Sequence, residues 1–183
     1  MSFFEETLTS EYFYKGKIIN LRRDTVRLSS GAEAIREVCE HHGAVSVLPV
    51  LDSGEVVLVR QFRYPMGKEL LEVPAGKLEI GEEPRSCAER ELSEETGLRA
   101  KRIVELGYVY PSPGYLTEKI HLYLAIGAEE GEAHPDEGEE LSVVRMKLSD
   151  AVAMCDRGEI SDLKTIALIY RAERYLKGED KNG

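Results

Sequence analysis

The segment GKLEIGEEPRSCAERELSEETGL, from Gly76 to Leu98, constrains this chain more than any other. Pro84 at its centre and Gly97 near its end bracket a helix, because proline suits a first helical turn and glycine the position just past a last one. Within that helix Glu91, Glu94 and Glu95 fall at i, i+3 and i+4, so their carboxylates share one face. As a plain structural helix this is awkward. Like charges at i,i+4 cost roughly 0.2–0.5 kcal/mol, and the last turns carry the negative end of the helix dipole, where anions are disfavoured. A divalent cation reverses both penalties, and clustered oxygen donors suit Mg²⁺ or Mn²⁺. Arg90 can relieve part of the charge. Taken alone, the triplet reads more readily as a solvated, glutamate-rich face.

The rest of the chain is patterned as strands with two further helices. Residues 12–21, 24–28 and 34–42 read as three N-terminal strands with a Ser29-Ser30-Gly31 turn. Three strands this short lack a core of their own and must lean on another surface. AVSVLPVL (44–51), an Asp52-Ser53-Gly54 turn and EVVLVRQFR (55–63) form a hairpin. KELLEVPAG (68–76) is a further strand. Two more, RIVELGYVY and KIHLYLAIG, flank the loop PSPGYLT. After an acidic stretch, SVVRMKL is the last strand, followed by helices over 149–157 and 161–177. This pattern fits an α/β mixed sheet with helices on either side, with the strand order left open. It divides the chain into an N-terminal β segment (1–42), a main domain (43–178) and a solvated tail (179–183).

Charge narrows the partners. With 34 acidic and 24 basic residues in 183, the formal net charge is −10, which argues against a nucleic-acid binder. Seven of the acids lie between Gly127 and Leu141, a stretch without Lys or Arg. Cys39, Cys87 and Cys155 lack metal-ligand spacing and read as small core residues in a reducing compartment. The N-terminus has no apolar signal region, and no apolar run reaches the ~18 residues of a membrane span. The expectation is a cytoplasmic protein without membrane or nucleic-acid partners.

The same segment fits G-x5-E-x7-R-E-U-x-E-E-x-G-U, with U apolar, at Gly76, Glu82, Arg90, Glu91, Leu92, Glu94, Glu95, Gly97 and Leu98. This resembles the signature of the Nudix hydrolases. The resemblance implies an α/β/α sandwich around a mixed sheet, metal held by the signature helix, and cleavage of the pyrophosphate in a nucleoside diphosphate linked to another group. QFRYP, EVPAGKLE, YPSPGYLTEKIHLYLA and DEGEEL extend the likeness to the ADP-ribose pyrophosphatase group, from Tyr12 to Tyr175. Pro113, sixteen residues past Gly97, matches that group's marker proline. Enzymes acting on other nucleotide sugars, GDP-mannose among them, share several of these pieces.

Residue by residue, the resemblance implies metal ligation by Glu91, Glu95 and the carbonyl of Ala75. Glu94 either joins them or orients neighbours such as Arg90, and Glu82 supports the loop. In DEGEEL, Glu137 matches a general base and Glu139 a further metal ligand, two roles the sequence leaves interchangeable. Arg63 resembles a phosphate contact, an arginine being suited to bidentate recognition of phosphate. Arg36 and Glu37 resemble positions reaching the adenosine, and Ser112, Pro113, Gly114 and Glu118 the loop around the terminal ribose. The N-terminal strands resemble a dimerisation sheet that completes the neighbour's adenine pocket, which implies a homodimer. The expected reaction is Mg²⁺-dependent hydrolysis of ADP-ribose to AMP and ribose 5-phosphate. The rivals are another nucleotide sugar as substrate, or a Nudix domain that senses nucleotides without hydrolysis.

Overall fold

Strand β4 (Ala44–Leu51) is apolar almost throughout because both of its faces are covered. In the computed structural model, which describes residues 3–131 and 140–179, its side chains alternate between two cores. Val45 and Val47 meet Cys87, Ala88 and Leu92 of helix α1 (Pro84–Thr96). Ala44, Leu48 and Val50 meet Ala151 of α2 (Leu148–Asp156) and Leu168, Ile169 and Ala172 of α3 (Leu163–Glu179). Period-two alternation on a strand buried from both sides thus makes the α/β/α sandwich that the resemblance implied.

The sheet opens where the chemistry collects. Strand β5 (Glu55–Arg63) pairs with β4 only at Val50–Val56, beside the hairpin turn, and the two then diverge. The freed edges are taken by β6 (Lys68–Glu72), antiparallel to β5, and β7 (Ala75–Lys77), antiparallel to β4. Pro74 between them breaks what the sequence pattern joins as one strand over 68–76, since proline cannot donate to a ladder. Its carbonyl accepts from Val47 N–H at 2.9 Å. Outward from this fork, β9 (Ile120–Glu130) runs parallel to β4 and β8 (Leu98–Val109) antiparallel to β9, while β10 (Leu141–Lys147) lies antiparallel on β5.

The chain forms two compact units. One holds the sandwich, Ala44–Val109 and the residues from Ile120 onward. The other holds residues up to Gly43 together with Tyr110–Lys119, a segment the sequence pattern keeps with the main domain. Its antiparallel sheet is ordered β1 (Glu5–Lys15), β2 (Asn20–Leu28), β3 (Glu33–Glu40). Two boundaries depart from the sequence expectation. The first strand begins at Glu5, because the polar run EETLTS is carried by ladder pairing with β2 and not by burial. The expected strand over 12–21 is cut at Gly16, whose N–H donates to the Ile19 carbonyl in a turn. The segment Ser112–Thr117 is tied to β3: Cys39 N–H donates to the Tyr115 carbonyl at 2.7 Å, and Thr117 N–H to the Cys39 carbonyl at 3.0 Å.

Candidate active site

Helix α1 ends as its sequence demands. Gly97 takes φ = 69°, the left-handed conformation that only glycine adopts without strain, and its N–H donates to the Ser93 carbonyl. Burial of Cys87, Ala88 and Leu92 against the sheet fixes the rotation of the helix, and the same stripe continues into Glu95, which is only 6% exposed. Ala75 N–H donates to Glu95 Oε2 at 3.3 Å. The Glu91 carboxylate rests against Gly76 so closely that a Cβ at that position would overlap it. Both carboxylates therefore converge on the Ala75–Gly76 backbone, and a side chain at Gly76 would have to push the Glu91 carboxylate aside.

Arg90 binds the remaining acids. It donates from Nε to Glu82 Oε1 at 3.1 Å and from Nη1 to Glu91 at 2.7 Å and Glu94 at 2.8 Å. The hydrogen bond from Arg90 pulls the Glu82 carboxyl down to about 2, against the mild opposing effect of burial. Glu82 Oε2 also accepts from Glu79 N–H at 3.0 Å, closing the loop ahead of the helix. Burial, with Glu82 beside it, pushes the Cys87 thiol up to about 12, so it stays protonated in this setting. Glu94 faces Arg90 through that hydrogen bond.

The donor set at the fork fits a hard divalent ion: carboxylates of Glu91 and Glu95 and the Ala75 carbonyl, all oxygen. Among the described residues, no group of three or more His, Cys, Asp or Glu side chains stands ready to hold a metal. Glu137 and Glu139 lie outside the described residues.

A second cluster, absent from the sequence reading, lies where β6 meets α3. Glu72 is 1% exposed. Arg63 grips its carboxylate through Nε and Nη2, each at 2.7 Å. Lys164 joins the same carboxylate and also donates to Asp162 at 3.0 Å. Burial alone would raise the Glu72 carboxyl, and the two cations outweigh it, leaving it below the ordinary carboxylate range. Asp162 caps α3 by accepting from Thr165 N–H at 3.0 Å, and Thr165 Oγ1 accepts from Val73 N–H at 2.9 Å. The sequence pattern starts this helix at 161, whereas α3 begins at Leu163, just after the Asp162 cap.

The other proposed substrate residues lie in the N-terminal unit. Arg36 pairs with Glu5 through Nε at 2.8 Å and Nη2 at 2.6 Å. Glu37 stands opposite Arg23 in the β2–β3 ladder. The Ser112–Pro113–Gly114 turn is closed by Leu116 N–H donating to the Ser112 carbonyl, and Glu118 lies 3.7 Å from His41 Nδ1.

A sandwich with two glutamates of one helix converging on a short glycine-bearing strand defines a class, and the family comparison names it. The chain belongs to the Nudix family: the NUDIX domain matches residues 40–169. Residues 5–39 match the nucleoside diphosphate sugar hydrolase N-terminal domain. Among curated relatives, an ADP-ribose pyrophosphatase of Bacillus subtilis is 41% identical over 88% of both chains. A methanol dehydrogenase activator of Bacillus methanolicus is 38% identical over 91% of both. A GDP-mannose pyrophosphatase of Yersinia pestis is 36% identical over 79% of this chain and 77% of that one. A crystal structure of an ADP compounds hydrolase superposes with a TM-score of 0.84 at 22% identity, over 96% of this chain and 95% of that chain, and shares its fold.

Proposed function

We propose that this protein is a cytoplasmic, Mg²⁺-dependent pyrophosphatase that hydrolyses ADP-ribose to AMP and ribose 5-phosphate. The observation that carries the reading is the convergence of Glu91 and Glu95 on Ala75–Gly76, in a chain whose relatives include an ADP-ribose pyrophosphatase. Glu91, Glu95 and the Ala75 carbonyl hold the cation, joined by Glu139. When bound, Mg²⁺ (or Mn²⁺) neutralises pyrophosphate oxygens and lowers the pKa of water. Glu137 takes the proton from the attacking water. The oxygen of that water bonds to one phosphorus while the other phosphate leaves. Arg63 holds a phosphate oxygen by charge-assisted hydrogen bonds.

The N-terminal segment, 1–42, acts with Ser112, Pro113, Gly114 and Glu118 on the substrate's two ends: Arg36 and Glu37 at the adenosine, the loop at the terminal ribose. Phe13, Leu21 and Ile35 of its sheet are exposed, which supports a homodimer in which this sheet meets a second copy. Light scattering at micromolar concentration should give twice 20.5 kDa, and a monomer would contradict that assembly.

The GDP-mannose relative favours one second reading, the same chemistry on another nucleotide sugar. A panel of ADP-ribose and GDP-mannose with Mg²⁺, scored by product identity, separates the two. AMP with ribose 5-phosphate as the dominant products supports the proposal. Preference for GDP-mannose overturns the substrate, and binding of either without hydrolysis overturns the enzyme in favour of a sensor.

A further inference from the structure

The grip of Glu72 on Arg63 uses one edge of the guanidinium. Nε and Nη2 donate in parallel to Oε1 and Oε2, and Nη1 takes no part in the pair. The two partners differ sharply in exposure: the Glu72 side chain is 2% exposed and that of Arg63 38%. The tether is thus anchored in the interior, while the Arg63 side chain as a whole stays partly exposed. Arg63 also lies within electrostatic reach of Glu95, one of the two carboxylates that converge on the Ala75–Gly76 backbone.

The anchor is itself anchored. Lys164 shares the Glu72 carboxylate, and Asp162 holds Lys164. Thr165 fixes the backbone of Val73, the residue after Glu72, to the first turn of α3. Lys164 matters for charge as well as for position. A carboxylate serving Arg63 alone would cancel much of its attraction for phosphate, whereas one shared with a second cation leaves the guanidinium only partly neutralised. A bidentate grip also removes the rotamer freedom that a long side chain would otherwise lose when it binds substrate.

We propose that Glu72 is a positioning residue: braced by Lys164, it holds the Nε/Nη2 edge of Arg63 so that the Nη1 edge meets a pyrophosphate oxygen in a fixed orientation. This rests on the proposed role of Arg63 as a phosphate contact. A merely structural ion pair would sustain the fold and leave substrate affinity alone, so the two roles part company in the kinetics.

The test is a double-mutant cycle of Glu72→Gln and Arg63→Ala, read as kcat/KM with Mg²⁺. Glu72→Gln should lower kcat/KM roughly 10- to 100-fold, mostly through KM. In the Arg63→Ala background the same change should cost less than about threefold, since nothing is left to position. In parallel, the ¹⁵N-edited Nε–H resonance of Arg63, protected from solvent exchange in the wild type, should vanish in Glu72→Gln while the amide spectrum persists. Equal costs in both backgrounds, or full kcat/KM for a folded Glu72→Gln, would overturn the proposal. Should Glu72→Gln fail to fold, Glu72→Asp retains the charge and replaces it in the cycle with the same non-additivity expected. A wild type that cleaves GDP-mannose and not ADP-ribose would defeat the proposed substrate only, and the cycle would then be run on GDP-mannose. If Arg63→Ala keeps full kcat/KM on whichever substrate is cleaved, the tether has no catalytic purpose and the inference fails.

Discussion

Two carboxylate clusters sit in the sandwich, and they are built to opposite rules. Around Glu72, anions and cations balance: Glu72 and Asp162 against Arg63 and Lys164. Every charge has a partner, and the pivotal carboxylate is sealed from water. Around α1 they do not balance: Glu82, Glu91 and Glu94 crowd one guanidinium, Arg90, with Glu95 beside them. A balanced cluster can brace a neighbouring group and has no electrostatic call for an ion. An unbalanced one, with Glu94 and Glu95 in the last turn of the helix, gains stability when a cation joins it. Charge bookkeeping, more than the mere presence of glutamates, separates a scaffold from a site.

Substitutions can break that distinction. The largest effect is expected at Glu95, the buried member of the unbalanced set. Glu95→Gln should cut turnover by roughly a thousandfold, the weight of a lost metal carboxylate, with an unchanged circular dichroism spectrum. Near-normal turnover at saturating Mg²⁺ would place the cation elsewhere. At the bracing cation of the balanced cluster the cost should fall on the fold as well. Lys164→Met leaves a buried carboxylate short of one cation and should remove about 3 kcal/mol of stability, seen as a lower denaturant midpoint. A smaller loss is expected from Gly76→Ala. Its Cβ must displace the Glu91 carboxylate, which should reduce kcat roughly 10- to 100-fold while the melting temperature stays near that of the wild type. Normal kcat there would show that the close approach of Glu91 to Gly76 has no catalytic weight.

The smallest effect is one of pH. The folded-state carboxyl of Glu82 is lowered from 4.5 to about 2 by Arg90. Its contribution to stability is therefore complete above pH 4.5 and is lost as the pH falls toward 2. Glu82→Gln should cost about 1 kcal/mol at pH 7. It should also flatten the decline in urea midpoint between pH 4.5 and 3. An unaltered slope would mean that Arg90 does not hold Glu82 in solution.

The unbalanced cluster was legible in the sequence because it is local. Pro84, Gly97 and three glutamates at helical spacing place it without any knowledge of the sheet. The apolar run Ala44–Leu51 likewise announces its own burial. What escaped was long-range or polar. Glu72 lies in KELLE, where a glutamate reads as a solvent-facing strand residue, and its partner Lys164 is 92 residues away. The start of β1 at Glu5 is hidden in a polar run whose strand character comes wholly from pairing with β2. The segment Tyr110–Lys119 joins the N-terminal unit through backbone contacts with Cys39 that no side-chain pattern encodes.

The central claim, that the unbalanced cluster exists to take a divalent ion, is tested most directly by titrating Mn²⁺ into the protein without substrate and following free Mn²⁺ by electron paramagnetic resonance. Wild type and Lys164→Met should both bind saturably, and Glu95→Gln should lose at least roughly tenfold in affinity. Glu95→Gln binding Mn²⁺ as tightly as the wild type would contradict the account.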